Sequence, residues 1–210
     1  MLYFACYHWD PSQYSKVMHE NELWYSYKEG DVKALEGLYE QFYTPLTNYG
    51  FKFTPDHVCI EESMQDLFLK LWQNRERIAR PAVVKQYLYF SFRRILLRKL
   101  EYSPSRHEEE LAGEHIPFSL DLTYEHPLIR KERMEELTAR VDALLSTLTN
   151  RQREAVFLKY YEDLSYEQIA EIMHMNIGGT YKLIYRALER LREQFGDFTL
   201  LLLLYILKRA

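Results

Sequence analysis

LSYEQIAEIMHMNIGGTYKLIYRALERLR, residues Leu164–Arg192, is the stretch that decides the fold. Ser165 followed by Gln168 forms a capping box: the hydroxyl takes the amide of the third helical residue and the Gln side chain reaches back. Ile169, Ala170, Ile172 and Met173 then give an apolar face at helical spacing. The pattern breaks near His174–Met175, and Asn176 is a good N-cap for a second helix carrying Leu183, Ile184, Ala187, Leu188 and Leu191. Two helices joined by a few residues, the second bearing Lys182, Arg186 and Arg190, read as a helix-turn-helix. An ordinary corner between two bundle helices has the same pattern, so the rest of the chain must choose between them.

Outward from that stretch, helical signals continue in both directions. Thr149 or Asn150 caps a helix of about 151–161, preceded by an apolar face of Met134, Leu137, Val141, Leu144, Leu145 and Leu148 in a domain starting near Pro127. Towards the N-terminus, Gly30 ends a helix of about 21–29 and Asp31 caps one with Leu35, Leu38, Tyr39, Phe42, Leu46 and Tyr49 on one face. Thr54-Pro55-Asp56 predicts a helix start, with Thr54 as cap and Ile60, Met64, Leu67, Phe68, Leu71 and Trp72 inward as far as Asn74. A further helix is expected over about 82–99. The class is therefore all-α: two helical domains joined by a flexible acidic linker. The expected boundaries are an N-terminal arm at 1–20 (Pro11 as a breaker), a first domain at 21–100, the linker at 101–126, a second domain at 127–196, and an apolar tail helix at 197–210. The ten residues 198–207 reach about 15 Å as a helix, half of a ~30 Å bilayer core, so docking on protein is expected rather than spanning.

Charge divides the chain more sharply than its total suggests. The 210 residues carry 27 basic and 31 acidic side chains, a net −4. A freely acting DNA binder is usually basic, so the charge must be segregated or another subunit must supply part of the surface. It is segregated: Arg75, Arg77, Arg80, Lys85, Arg93, Arg94, Arg98 and Lys99 face only Glu76 between 75 and 99, with Tyr87, Tyr89, Phe90 and Phe92 interleaved. Cations that track phosphates and rings that stack on unpaired bases suit single-stranded nucleic acid. Aromatics in a core beneath a solvated basic face would look the same. The linker reverses the sign, with Glu101, Glu108, Glu109, Glu110, Glu114, Asp121 and Glu125 against Arg106. It is either a solvated spacer or a segment that threads a basic channel. Cys6 and Cys59 lack a Cys-x-x-Cys setting, which fits a reducing cytosol. The N-terminus MLYFACYHWDPS is not a secretion signal, and no ~20-residue apolar span occurs. His8, His19, His57, His107, His115, His126 and His174 are scattered, so neither metal nor cofactor is expected.

The layout and wording resemble a bacterial extracytoplasmic-function (group 4) sigma factor of the sigma-70 family, closest to Bacteroidota-type members. LYEQFYTPLTNYG looks like the start of region 2, and EESMQDLFLKLWQNRERI like the region 2.2 helix. QYLYFSFRRILLRKL is similar to regions 2.3 and 2.4, and LLSTLTNRQREAVFLKYYEDLSYEQIAEIM with YRALERLR to region 4. The resemblance implies a non-enzymatic, cytoplasmic role: binding core RNA polymerase through the β′ clamp helices and β flap, directing it to promoter DNA and helping to melt the −10 element. It implies polymerase contacts at Gln65, Asp66, Leu69 and Trp72. It implies −10 contacts at Arg75, Arg77, Arg80, Lys85, Tyr87, Tyr89, Arg93, Arg94 and Arg98, with capture of a flipped base. The −35 side would be Ser165, Gly178, Gly179, Thr180, Tyr181, Lys182, Tyr185 and Arg186. Two positions depart from the family pattern. Its usual turn glycine is His174 here, and its common Thr-Val near the start of the recognition helix is Gly179-Thr180. Side chains able to read base edges are then few, and lax −35 reading is expected. A variant reading follows, in which an anti-sigma protein or a DNA-targeting recruiter brings the chain to its sites. The alternative from another class is an autonomous helix-turn-helix regulator.

Overall fold

In the computed structural model the described residues are 11–101, 117–119 and 147–209, with side chains described over 19–101, 117–119 and 147–193. The expected face from Met134 to Leu145, most of the acidic linker and residues 1–10 lie outside them. The apolar side chains of the tail do too. Among the described residues the elements are all helical: α1 (Pro11–Lys28), α2 (Val32–Phe51), α3 (His57–Gln73), α4 (Val84–Glu101), α5 (Asn150–Tyr160), α6 (Tyr166–Ile172) and α7 (Ile177–Arg209). Helices α1 to α4 pack on one another, α5 to α7 form a second cluster, and α4 lies against α6 across the boundary.

Most helix starts follow from local chemistry. The Asp31 carboxylate accepts the Lys33 amide. Thr149 and Ser165 each make a complete capping box, with Gln152 and Gln168. Three readings need correction. Pro11 does not break a helix but begins one, since its ring suits the first helical turn and its missing N–H costs nothing there. The cap before α3 is Asp56 rather than Thr54: the Asp56 carboxylate accepts two amides, from Val58 and Cys59, while Thr54 Oγ1 accepts the Asp56 amide. The apolar tail is not a separate helix. It continues the helix that begins at Ile177 without a break, because Gly196 weakens a helix by only about 1 kcal/mol and no proline intervenes.

The first cluster is unusually aromatic. Trp24, Tyr27, Tyr49, Tyr89 and Phe92 are wholly buried with Leu38, Leu46, Ile60, Met64 and Leu67. Gly50 permits a close helix approach: a Cβ there would sit 3.1 Å from Ile60 Cγ2 and 3.2 Å from Phe92 Cζ. The tyrosines carry a consequence for pH. Burial above all pushes Tyr27 and Tyr160 up to about 12, and pushes Tyr49 and Tyr89 well above 10.0. A folded-state pKa above the unfolded one means that the unfolded chain ionises first as pH rises. Stability is therefore fully present below pH 10 and is lost progressively from about 10 to 12. The urea midpoint should fall over that window, and a midpoint unchanged up to pH 12 would contradict the burial.

Candidate nucleic-acid interface

The expected polymerase residues lie on the outer side of α3. Gln65, Leu69 and Trp72, at spacings of four and three, share one face. Leu69 is 54% exposed. Asp66 sits beside them, 3.2 Å from Lys99, which also reaches Glu62 at 3.0 Å. Trp72 is half-buried under the Arg75 guanidinium, 4.6 Å from the ring centroid.

The expected −10 residues separate into two groups. Arg77, Arg80, Arg94 and Arg98 are exposed, and Arg75 and Tyr87 are half-buried, Tyr87 edge-on to Trp24. Tyr89 and Arg93 instead face the second cluster. Arg93 makes a two-pronged pair with Glu154 of α5, Nε to Oε1 at 2.6 Å and Nη2 to Oε2 at 3.1 Å. Both side chains are almost fully buried, and the Tyr49 hydroxyl donates to the same Oε1 at 2.5 Å. Burial works against the Arg93 charge, but the Glu154 carboxylate outweighs it and holds the guanidinium protonated beyond its ordinary range. Lys85 donates to the Glu162 carbonyl at 2.6 Å and pairs with its carboxylate at 2.9 Å. Tyr89 is buried beside Glu162, outside hydrogen-bonding geometry. Gln86 donates to Glu171 of α6.

A segment of the expected spacer completes this contact. Phe118 is 2% exposed and lies among Phe53 (4.9 Å between centroids), Phe157 (5.9 Å) and Tyr49 (6.2 Å). Its amide donates to Asn150 Oδ1 of α5, and the Ser119 amide donates to the Lys52 carbonyl after α2. Residues 117–119 thus bond to both clusters, and the phenyl ring fills a gap that water could not fill without loss. Glu154, Glu162 and Phe118 were not legible as partners of α2 and α4. Nothing local distinguishes an acid in α5 that meets Arg93 from one that meets water.

On the helix-turn-helix, Gly178, Tyr181, Lys182, Tyr185 and Arg186 share the exposed face of α7, while Thr180, Ile184, Ala187 and Leu191 are buried. Thr180 is wholly buried, its hydroxyl donating to the Asn176 carbonyl at 3.2 Å. Ser165 is occupied as a cap. Asn176 Oδ1 accepts the Gly179 amide at 2.7 Å, and a Cβ on Gly179 would lie 3.2 Å from that oxygen. Tyr181 stacks on Tyr166 at 4.0 Å and 20°, joining the start of α6 to the start of α7. Tyr185 is 63% exposed and donates to Glu189.

His174 explains the turn. Its φ of 51° is left-handed, where glycine is at ease and a side chain costs about 1–3 kcal/mol. Its ring, however, meets Phe90 of α4 at 4.9 Å. Replacing it with glycine should relieve the backbone and lose that contact, leaving thermal stability nearly unchanged. His174→Val should destabilise by about 1–3 kcal/mol, because a β-branched residue tolerates this conformation poorly. Equal melting temperatures for the two variants would refute the account.

A helix-turn-helix on three helices, set against a four-helix cluster with an exposed basic edge, defines a two-part all-α transcription factor. The family profile "Sigma-70, region 4" matches residues 138–191. The chain is 26% identical to an RNA polymerase sigma-E factor of Streptomyces avermitilis over 167 residues, covering 79% of this chain and 87% of that protein. It is 26% identical to an ECF RNA polymerase sigma factor SigK of Mycobacterium sp. (strain KMS), covering 71% and 76%. It is 23% identical to RNA polymerase sigma factor YlaC of Bacillus subtilis, covering 76% and 91%. Among solved structures, CnrH in complex with the cytosolic domain of CnrY superposes with a TM-score of 0.56 at 15% identity, over 84% of this chain and 96% of that one. The sigma factor RpoE with the anti-sigma factor NepR from Bartonella quintana gives 0.51 at 22%, over 77% and 96%. These two likenesses concern the fold. The sequence matches are to RNA polymerase sigma factors, the extracytoplasmic-function class among them, and the chain is similar to these in both of its parts.

Proposed function

We propose that the chain works in the cytoplasm as an alternative sigma factor. It binds core RNA polymerase through the outer face of α3, brings it to promoter DNA, and holds the opened −10 strand along the loop at 75–80 and the exposed edge of α4. The observation that carries this reading is the presence of two separate surfaces on one cluster. One is the Gln65–Leu69–Trp72 face, with Leu69 exposed at its centre; the other is the basic edge of Arg77, Arg80, Arg94 and Arg98. An exposed leucine suits a protein partner, and clustered arginines suit phosphate. In the conformation described here Arg93 and Tyr89 reach DNA only if α5 moves off α4. An anti-sigma protein is a further partner by analogy with the solved complex of RpoE with the anti-sigma factor NepR.

The role is transcription initiation rather than chemistry on a substrate. Because Thr180 is buried, the start of the recognition helix offers Tyr181, Lys182, Tyr185 and Arg186 to DNA. Phosphate contacts position a protein without reading sequence, so substitutions here should weaken binding evenly across promoters. This favours a recruited mode, in which a second factor selects the site.

The test is co-purification with core polymerase, followed by transcription in vitro with core and this chain alone. Leu69→Glu should lower polymerase affinity by about tenfold or more, as a charged group in the centre of a protein contact does. Stability should change by no more than about 0.5 kcal/mol, as expected for an exposed site. Wild-type affinity in that variant removes α3 as the docking face. Strong −35-dependent transcription without a helper removes the recruited mode.

A further inference from the structure

Lys28, in the last turn of α1, reaches 47 to 50 residues along the chain to the loop that follows α3. Its ammonium donates to three backbone carbonyls, those of Arg75, Glu76 (3.3 Å) and Ile78 (2.5 Å). An ammonium has three hydrogens, so its donors are fully used. The loop's amides are closed from the other side: Arg77 and Ile78 donate to the Asn74 carbonyl at 2.9 and 3.0 Å, and Arg75 donates to that of Trp72. Next to Lys28, the Tyr27 hydroxyl donates to the Leu71 carbonyl in the last turn of α3. Two consecutive residues of α1 therefore hold the end of α3 and the loop after it.

Of the loop's own side chains, Arg75 ties its first residue to the end of α3, Nη1 donating to the Trp72 carbonyl at 3.3 Å and Nη2 lying 3.6 Å from the Glu76 carboxylate, but it does not reach the carbonyls that Lys28 holds. The Arg77 and Arg80 side chains are exposed. Arg75 lies along Trp72 and beside the turn at Gly30. The loop lacks regular structure and contributes one hydrophobic side chain, Ile78, to the margin of the core. Its carbonyls point inward because a cation is there to receive them. That leaves the Arg77 and Arg80 side chains exposed around a fixed backbone.

We propose that Lys28 is a positioning residue for −10 recognition. It need not touch DNA. It fixes the backbone of residues 75–78 so that the loop meets an unpaired base in one geometry. This rests on the reading above that the loop meets the −10 strand. Reading a base requires donors and acceptors held in register, whereas phosphate attraction requires only charge nearby. A loop released from Lys28 keeps its three arginines and so keeps general affinity for single strands, but it loses preference between sequences.

The experiment uses holoenzyme reconstituted from core polymerase and the full chain. The probe is a forked DNA pool whose single-stranded non-template segment is randomised over eight positions. Selection and sequencing give the enrichment of each base at each position, and fluorescence anisotropy gives total affinity for the unselected pool. Wild type should enrich a short motif. Lys28→Met should lower that enrichment by roughly tenfold, with affinity for the pool changed less than about twofold. Lys28→Arg, which keeps the charge and the donors, should keep most of the preference. Amide hydrogen exchange at Arg77 and Ile78 should quicken in Lys28→Met and in Lys28→Gln but not at the buried core of α3, which separates loop release from misfolding. Undiminished enrichment by Lys28→Met overturns the proposal alone. So does an equal loss of affinity for every sequence, the mark of a merely structural residue. A wild-type holoenzyme that forms but enriches no motif overturns both this proposal and the reading on which it rests.

Discussion

Arg93→Ala is expected to cost about 3–5 kcal/mol of stability, because it strands a buried carboxylate. Glu154 is 3% exposed and receives two bonds from Arg93 and one from Tyr49. With the guanidinium gone, a single neutral donor remains to an anion that water cannot reach. The chain can respond by protonating Glu154 or by parting the two clusters to hydrate it. The double variant Arg93→Met with Glu154→Leu should recover most of the loss, since two apolar side chains of similar volume remove the desolvation cost together. Urea denaturation of the single and double variants checks this. A loss below about 1 kcal/mol for Arg93→Ala would mean that the pair is hydrated in solution, as surface pairs are. The result matters for function because Arg93 belongs to the proposed −10 set. While it holds Glu154, it is not available to a phosphate.

Phe157→Ala is the other change with a large expected effect, about 3–5 kcal/mol for a buried phenylalanine. Its ring is 1% exposed and stacks between Tyr49 (5.9 Å, 8°) and Tyr161 (4.7 Å, 17°). Phe118 meets it edge-on at 5.9 Å, and the Lys52 ammonium lies 5.9 Å from its centroid. Removing it opens a cavity where α2, α5 and residues 117–119 converge, among rings that are themselves packed on one another. Phe157→Leu should cost markedly less because it keeps most of the volume. Thermal melts give the magnitude, and limited proteolysis between the clusters shows where the molecule opens. A loss under about 1 kcal/mol would show that this aromatic junction does not form. Combined with Arg93→Ala the losses should not add, since both act through Tyr49 and the same contact.

What could be read without coordinates was local. The Ser165/Gln168 box, a cap at Thr149 or Asn150 (Thr149 in the fold), the Asp31 and Asn176 caps and the 3.6-residue periodicity all act within four residues, and the folded chain keeps them. At Thr54 the right element was found and its cap was misplaced by two residues, whereas at Pro11 the first ten residues of α1 were read as part of an irregular arm. A proline may precede or begin a helix, and two oxygen acceptors two residues apart compete for the same amides. The tail was read as helical, but its continuity with the recognition helix was not, because a lone glycine interrupts a helix in some settings and not in others.

The site was legible as chemistry and not as placement. Arg93 and Arg94 are neighbours of one type on one helix, about 100° apart around its axis. One is 6% exposed against Glu154 and the other faces water. Likewise Lys28 reads as an ordinary basic residue at a helix C-terminus until the loop at 75–78 folds over it. The sequence by itself determined the helices, their caps, the helix-turn-helix and the segregation of charge, since each depends on residues a turn apart. Which cations stay exposed is set by the packing of the helices. That depends on partners 61 residues away for Arg93 and about 50 for Lys28, and electrostatic energy is set by distance and burial in space rather than by separation along the chain.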